Sequence, residues 1–351
     1  MDDNQIDFIE LINRKDVEKI MSLLDNNDNK YKLNLDKNDD QNRSPIMLAC
    51  SNKLENVAIK LIDVFDEKCN PEHIDNNSNT VLSLAIINNL ENVAIKLIDV
   101  FGEKCKPEFI TEKEYIIKSY KNTYLILACI YKLENVAIKL IDVFGDKCIP
   151  QNVNSFQDTA LLWACNRNLE NVFIKLIDTF EWNCCPIQMN INKFTALSVA
   201  CCVSLENAAI KLIDKFGDKL NYNIKNITNN KSAIEFAFEN KLENIIIKMI
   251  DIYGYKCITE YNDDNNQSLL SVAFKYKLEN VAIKIIDTFG DKCITEYNDD
   301  NNQSLLSVAF KYKLGNVALK IIDTFGDKCN IEYIDDNKNT LLILACTGCF
   351  N

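Results

Sequence analysis

A ten-residue phrase, Leu-Glu-Asn-Val-Ala-Ile-Lys-Leu-Ile-Asp, recurs whole or lightly altered with its leading Leu at 54, 90, 133, 169, 205, 242, 278 and 314. The steps between copies are 36, 43, 36, 36, 37, 36 and 36 residues. Self-similarity at a fixed period of this size marks a linear array of one supersecondary unit. A unit this short cannot cover its own apolar face, so neighbours must stack. One elongated domain then replaces the two or three globules that 351 residues would otherwise suggest. Such a stack displays equivalent positions in rows, which suits a binding surface better than a reaction vessel.

Each unit opens with a polar loop and then a hydroxyl residue, at 44, 80, 123, 159, 195, 232, 268, 304 and 340. That residue can accept a hydrogen bond from the free N–H groups of a first helical turn. A short, nearly apolar helix follows, such as Thr80-Val-Leu-Ser-Leu-Ala-Ile, as expected of an element covered on both sides. After a tight turn comes the second helix, where Val93, Ala94, Leu97 and Ile98 form an apolar stripe with Lys96 and Asp99 off it. Gly102, Gly145, Gly217, Gly254, Gly290 and Gly326 each follow the aromatic that ends this helix, where a left-handed residue would close it. Pro71, Pro107, Pro150 and Pro186 lie a few residues beyond, where a helix cannot continue.

Helix, turn, helix and extended loop, together with Thr-Val-Leu-Ser-Leu-Ala at 80–85, Thr-Ala-Leu-Leu-Trp-Ala at 159–164 and Ser44-Pro45-Ile46, resemble the ankyrin repeat over nearly the whole chain. The resemblance implies an all-α, ankyrin-type solenoid of stacked helix-turn-helix units with a 36-residue period. Departures are visible. The family's His is replaced by Met47, Ser83, Ile126, Leu162, Ser198, Glu235, Ser271 and Ser307, which removes the inter-repeat hydrogen bonding it supplies. The family's inner-turn Gly is also missing. The Asn-, Lys- and Ile-rich wording is similar in style to ankyrin-repeat families of giant DNA viruses of amoebae.

The expected organisation is a degenerate capping repeat at 1–36, eight repeats over 37–339 and an incomplete repeat at 340–351, prone to fray. Seven extra residues near 112–118 map to a loop on one face, often one used for binding. Residues 257–278 and 293–314 are identical, the mark of a copied unit.

Lys+Arg 39 against Asp+Glu 51 gives a formal charge of -12, which repels nucleic acid, and no basic block overrides it. No stretch approaches the ~18 apolar residues of a membrane span, and the acidic start lacks the pattern of a signal peptide. An intracellular, cytoplasmic and reducing setting is expected. Cysteines recur in two rows, one holding Cys69, Cys105, Cys148, Cys184, Cys257, Cys293 and Cys329, the other Cys50, Cys129, Cys165, Cys201 and Cys346. Equivalent residues of stacked helices lie roughly 8–10 Å apart, too far for disulfides, which need Cα atoms within about 7 Å. These cysteines read as small buried apolar residues.

Motifs for chemistry are sparse, and no catalytic, cofactor or metal site is expected. His73, the only histidine, falls in a loop and reads as a solvated ring. Cys346-Thr-Gly-Cys349 lacks two further zinc ligands. The Asn/Asp runs at 262–266 and 298–302 lack the Gly and Glu of a calcium loop and read as turn tips. The aromatic row from Phe65 to Phe325 reads as core, and so does Trp163, at a slot filled elsewhere by Leu or Val.

Two slots late in the first helix vary freely: Ser51-Asn52, Ile87-Asn88, Ile130-Tyr131, Asn166-Arg167, Cys202-Val203, Glu239-Asn240, Lys275-Tyr276 and Lys311-Tyr312. Packing does not dictate them, so they face solvent or a partner. Trp182, replacing a Lys-like loop residue in Phe180-Glu-Trp-Asn-Cys, is the one large aromatic expected on the surface. The expected function is a non-catalytic scaffold or adapter, a monomer binding a protein partner through the concave face and loop tips, with a host protein as the partner that the viral resemblance implies. Tyr131, Arg167, Trp182, Glu239, Lys275, Tyr276, Lys311 and Tyr312 are the candidate contacts, Tyr and Arg being enriched at interfaces. The alternative is a self-assembling protein associating through its incomplete C-terminal repeat.

Overall fold

A computed structural model describes residues 8–26, 33, 35–111, 114–115, 118–119, 121–259, 268–295, 304–328, 338–340, 342–343 and 346. They fall into two compact units, Met1–Ile191 and Asn192–Asn351. Each unit is a stack of helix-turn-helix repeats of ankyrin type. The first contains the helix pair Phe8–Arg14 and Val17–Asp25, followed by four repeats whose first helices are Pro45–Ser51, Val81–Ile87, Tyr124–Ile130 and Ala160–Asn166. Their second helices are Glu55–Phe65, Glu91–Phe101, Glu134–Phe144 and Glu170–Phe180. The second unit holds first helices Ala196–Cys202, Ala233–Glu239, Leu269–Tyr276 and Leu305–Lys311, with second helices Glu206–Phe216, Glu243–Tyr253, Glu279–Phe289 and Gly315–Phe325. Within each unit, second helices pack on second helices of the adjoining repeats.

The expected local signals act as local chemistry requires. Thr80, Thr123, Thr159, Thr195, Ser232, Ser268 and Ser304 accept a hydrogen bond from the backbone N–H three residues on. Ser44 does not, and its hydroxyl has no partner; Pro45 fixes the helix start there instead. Ser83 and Ser198, at the slot of the family's His, return the bond to the cap residue's own N–H, completing a reciprocal cap.

Inter-repeat hydrogen bonds come from other groups. In the loops, Asn76 N–H donates to Gln41 O at 2.9 Å, and Ile191 N–H to Phe156 O and Ile227 N–H to Asn192 O, each at 3.0 Å. His73 joins this set rather than being a solvated ring: it is half-buried, and its Nε2 lies 2.6 Å from the Asn42 carbonyl.

Two backbone features differ from the sequence reading. The inner turn keeps its left-handed residue without glycine, at Lys53, Asn89, Lys132, Asn168, Ser204, Lys241, Lys277 and Lys313. The glycines after the second helix have φ near +50°, but Gly102 has ψ -127°, which is not the left-handed helical region. There the chain turns sharply into a 3-10 turn such as Gly102–Cys105. Glu181 (φ 49°, ψ -122°) and Asp66 (φ 46°, ψ -124°) adopt that conformation with a Cβ, at a cost of order 1–3 kcal/mol.

The insertion adds two short strand pairs to the all-α, ankyrin-type fold. Ile110–Thr111 pairs antiparallel with Asn122–Thr123, and Glu114–Tyr115 with Lys118–Ser119, making a β-hairpin. Beside it Tyr124 is buried, its hydroxyl 2.7 Å from Thr80 Oγ1 and 3.1 Å from the Cys105 carbonyl. That single side chain ties three segments of two repeats.

The aromatic row is core: Phe65, Phe101, Phe144, Phe180, Phe216, Tyr253, Phe289 and Phe325 are all buried. So are Cys69, Cys105, Cys148, Cys184, Cys257 and Cys293, all free thiols. Several do more than fill space. Cys69, Cys105 and Cys148 donate weak S–H bonds to Leu61, Leu97 and Leu140 carbonyls, securing the 3-10 turn to its own helix. Cys329, Cys349 and the Asn/Asp runs at 262–266 and 298–302 lie outside the described residues.

Two outcomes are expected. Glu181→Gly raises the unfolding free energy in urea titrations by about 1 kcal/mol, whereas Gly145→Ala lowers it by a similar amount; equal stabilities would contradict the strain assignment. Burial pushes the thiols of Cys69, Cys105, Cys129, Cys148 and Cys293 up to about 12. At pH 8 an aromatic disulfide reagent therefore labels Cys202 and Cys346, both exposed, while those five react only after unfolding.

Candidate partner-binding face

The repeated decapeptide explains itself once repeats are stacked, because its polar residues bond to their counterparts next door. Asn92 donates to Glu55 at 2.9 Å, Asn171 to Glu134 at 2.7 Å, and Asn244, Asn280 and Asn316 to Glu206, Glu243 and Glu279 at 2.8 Å each. Lys96 pairs with Asp63 at 2.6 Å, Lys175 with Asp142 at 2.6 Å and Lys284 with Asp251 at 2.5 Å. Lys139–Asp99, Lys248–Asp214 and Lys320–Asp287 complete those rungs, and Lys60 reaches Asp25 on the N-terminal pair. The surface of the second helices is thus engaged in ladders of its own. Its sameness along the chain is structural, since changing one rung leaves its partner unmatched.

A third ladder follows the second helix, where Glu67, Glu103 and Asp291 pair with Lys104, Lys147 and Lys328. In one copy the acid is Tyr255, and Lys292 Nζ lies 3.9 Å from its ring centroid, a cation–π contact in place of an ion pair. Aligning Glu181–Cys184 with Gly102–Cys105 puts Trp182 at the slot of Glu103. Trp182 therefore stands for an acid, not for a Lys-like residue, and it is 43% exposed. Glu181 occupies the glycine slot, which moves Trp182 into the row of acids.

The variable pairs at the end of the first helix are otherwise placed. None of the sixteen residues named above is buried, and the second of each pair is usually the residue that ends the helix, as Tyr131 and Arg167 do. In the first unit, Tyr131 and Arg167 occupy neighbouring repeats whose first helices pack together. Trp182 is not brought beside them: an 11-residue second helix, about 16 Å long, separates the two ends of the repeat.

In the second unit, Glu239 pairs with Lys231 at 2.5 Å, and its carboxylate holds that ammonium above its ordinary pKa. The Tyr276 ring stacks 6.5 Å from Phe238, with Lys275 Nζ 6.0 Å from the Tyr276 centroid. Lys311 is exposed and Tyr312 half-buried at the same slots one repeat on. Cys202 is exposed, and its thiol is raised first by partial burial and then by the Glu239 charge. This row mixes aromatic, cationic, anionic and amide groups on one fixed frame.

Trp163 was read as core but is only half-buried. The equivalent Leu48, Leu84 and Leu127 are at most 7% exposed; an indole exceeds the space a Leu fills and extends outward. Among the described residues no cluster of three His, Cys, Asp or Glu could hold a metal, and no helix is long and apolar enough to cross a membrane.

No family profile and no curated protein matches the chain. Solved structures with a similar fold include a Bdellovibrio bacteriovorus complex of the Bd0816 predatory endopeptidase with immunity protein Bd3460, at 22% identity and TM-score 0.44, covering 59% of this chain and 97% of that one. The human ASB11 ankyrin repeat domain aligns at 13% identity and TM-score 0.45, covering 66% of this chain and 91% of that one. The ankyrin repeat domain of Bcl-3 aligns at 15% identity and TM-score 0.44, covering 70% and 99%.

A double-mutant cycle on Lys139 and Asp99 is expected to give a coupling of about 0.5 kcal/mol that shrinks in 1 M salt, because the pair is partly exposed. A coupling unchanged by salt would contradict that description of the ladder.

Proposed function

We propose that this protein is a non-catalytic adapter that binds another protein through its first-helix face and loop tips. One contrast carries the reading. The second-helix surface repeats the same residues and bonds them to one another, while the first-helix slots stay accessible and change chemistry from repeat to repeat. A surface under only structural demand would be as uniform as the ladders. The varied row holds Tyr131, Arg167, Glu239, Lys275, Tyr276, Lys311 and Tyr312, and Trp182 adds an exposed aromatic at a turn. Nucleic acid is disfavoured as a partner by the charge of -12. The viral style of the sequence supports a host protein in the cytoplasm of an infected cell as the partner.

A second reading rests on a separate observation. Ile62, Ile98, Ile141, Ile250 and Ile286 are at most 2% exposed beneath a following repeat, whereas their counterpart Ile322 is 43% exposed and Leu319 on the same helix 62%. Ile322 lies at a position that repeats of this design bury, which supports self-association at the C-terminal repeat.

Affinity capture from the native cell tests the first reading, with Tyr131→Ala/Arg167→Ala and Trp182→Ala variants run beside the parent chain. Loss of a captured protein by at least tenfold in the double variant, with unchanged circular dichroism, is the expected result. Equal capture by all three would remove the proposed face. Light scattering decides the second reading: a mass independent of micromolar concentration rejects it, and an Ile322→Glu-sensitive dimer supports it.

A further inference from the structure

We infer that Arg167, held over the Trp163 ring, is a receptor for the carboxylate of an Asp or Glu side chain on the bound protein. The inference rests on the adapter reading above and names the chemistry of one contact.

The chain has three arginines. Arg14 pairs with Glu10, and Arg43 with Asp39, to which its Nε donates at 2.8 Å. Arg167 has no carboxylate partner among the described residues, and its Nε is buried without an acceptor. This occurs in a chain with a charge of -12, where acids are plentiful and the lysines of the second helices are paired. An unmatched guanidinium in such surroundings is held away from the chain's own acids.

What holds it is the indole four residues earlier. Residues at i and i+4 share a helix face, and the Arg167 Cζ lies 5.1 Å from the Trp163 ring centroid. This cation–π contact restrains the guanidinium, and because Arg167 is only half-buried part of the side chain remains open to a partner. The Trp163 indole N–H is also buried without an acceptor. A half-buried arginine with no acid of its own, restrained by a neighbouring ring, suits an oxygen-rich anion. A planar carboxylate matches a guanidinium edge with two parallel bonds.

The neighbourhood selects among anions. The flanking variable slots carry Tyr131, Ile130 and Asn166, which are neutral. A doubly charged phosphate would find one cation, whereas a carboxylate has one charge to match. These neutral neighbours offer no second cation, and a carboxylate carried within a chain, as on Asp or Glu, is the occupant assigned.

The test uses the full chain with Trp182→Phe, which leaves Trp163 as the sole tryptophan, labelled with nitrogen-15. Its indole N–H resonance is followed while N-acetyl-glutamate amide is added. A saturable shift with a half-point of about 10 mM is expected, absent with N-acetyl-glutamine amide. Arg167→Gln should abolish it, and Arg167→Lys, which keeps the charge but not the planar edge, should weaken it more than about threefold. No shift, an equal shift with the glutamine probe, or an unaltered shift in Arg167→Gln overturns the inference. A stronger response to inorganic phosphate or to acetyl-glycyl-glycine with its free terminus overturns the side-chain assignment. The adapter reading fails separately: a captured partner lost with Tyr131→Ala but retained with Arg167→Gln leaves that reading standing and removes this one.

Discussion

The interaction on which the structure depends is the burial of one second helix against the next. Val93, Ala94, Leu97 and Ile98 are at most 1% exposed, and their counterparts in neighbouring repeats are as deeply covered. The two helices of a repeat are 7 and 11 residues long, below the ~12–15 residues at which an isolated helix holds together in water. Neither helix of a repeat is therefore stable by propensity. Each full burial of a Leu or Ile contributes about 1.5–3 kcal/mol, and those gains arise only when the adjoining repeat is in place.

This dependence divides the surface into two kinds. Groups near the repeat-to-repeat seam must satisfy a neighbour of the same sequence, so they become self-matching: Asn with Glu, Lys with Asp, acid with Lys. Partly exposed ion pairs add little stability each, but a mismatched rung would set like charges or unpaired amides side by side. They fix the register of one repeat on the next. Residues at the end of the first helix carry less of this duty, although Asn52 donates to the Ile12 carbonyl and Asn240 to the Cys201 and Cys202 carbonyls of the adjoining repeat. They are free to differ, and recognition needs that freedom.

Much of the fold was legible in the sequence because period, cap residues and apolar stripe are local signals. Thr80 and Thr159 cap as their chemistry dictates, and the aromatic row and the cysteines Cys69, Cys105, Cys148, Cys184, Cys257 and Cys293 are buried as their spacing implies, whereas Cys346 is exposed. What was not legible depends on backbone angles or on volume in a particular slot. The glycine after each second helix shows only that φ is positive; that ψ lies near -127° is set by the 3-10 turn that follows. The hairpin at 110–123 is too short to show alternation. Trp163 fits an apolar pattern, and only its size against the Leu-shaped space next door turns it outward. His73 looked solvated because its partner, the Asn42 carbonyl, is 31 residues away. Of the candidate contacts, the first-helix row could be found by asking which positions escape repetition, and Trp182 was found as an anomaly but assigned one slot out of register.

The coupling between repeats is tested most directly by the stability of chains cut at repeat boundaries within residues 37–191. Circular dichroism and urea unfolding should find a single repeat unfolded, two repeats marginal, and four repeats cooperative, each addition raising the stability by more than the repeat has alone. A lone repeat that folds with full helical content, or a stability that does not grow with repeat number, would contradict the account.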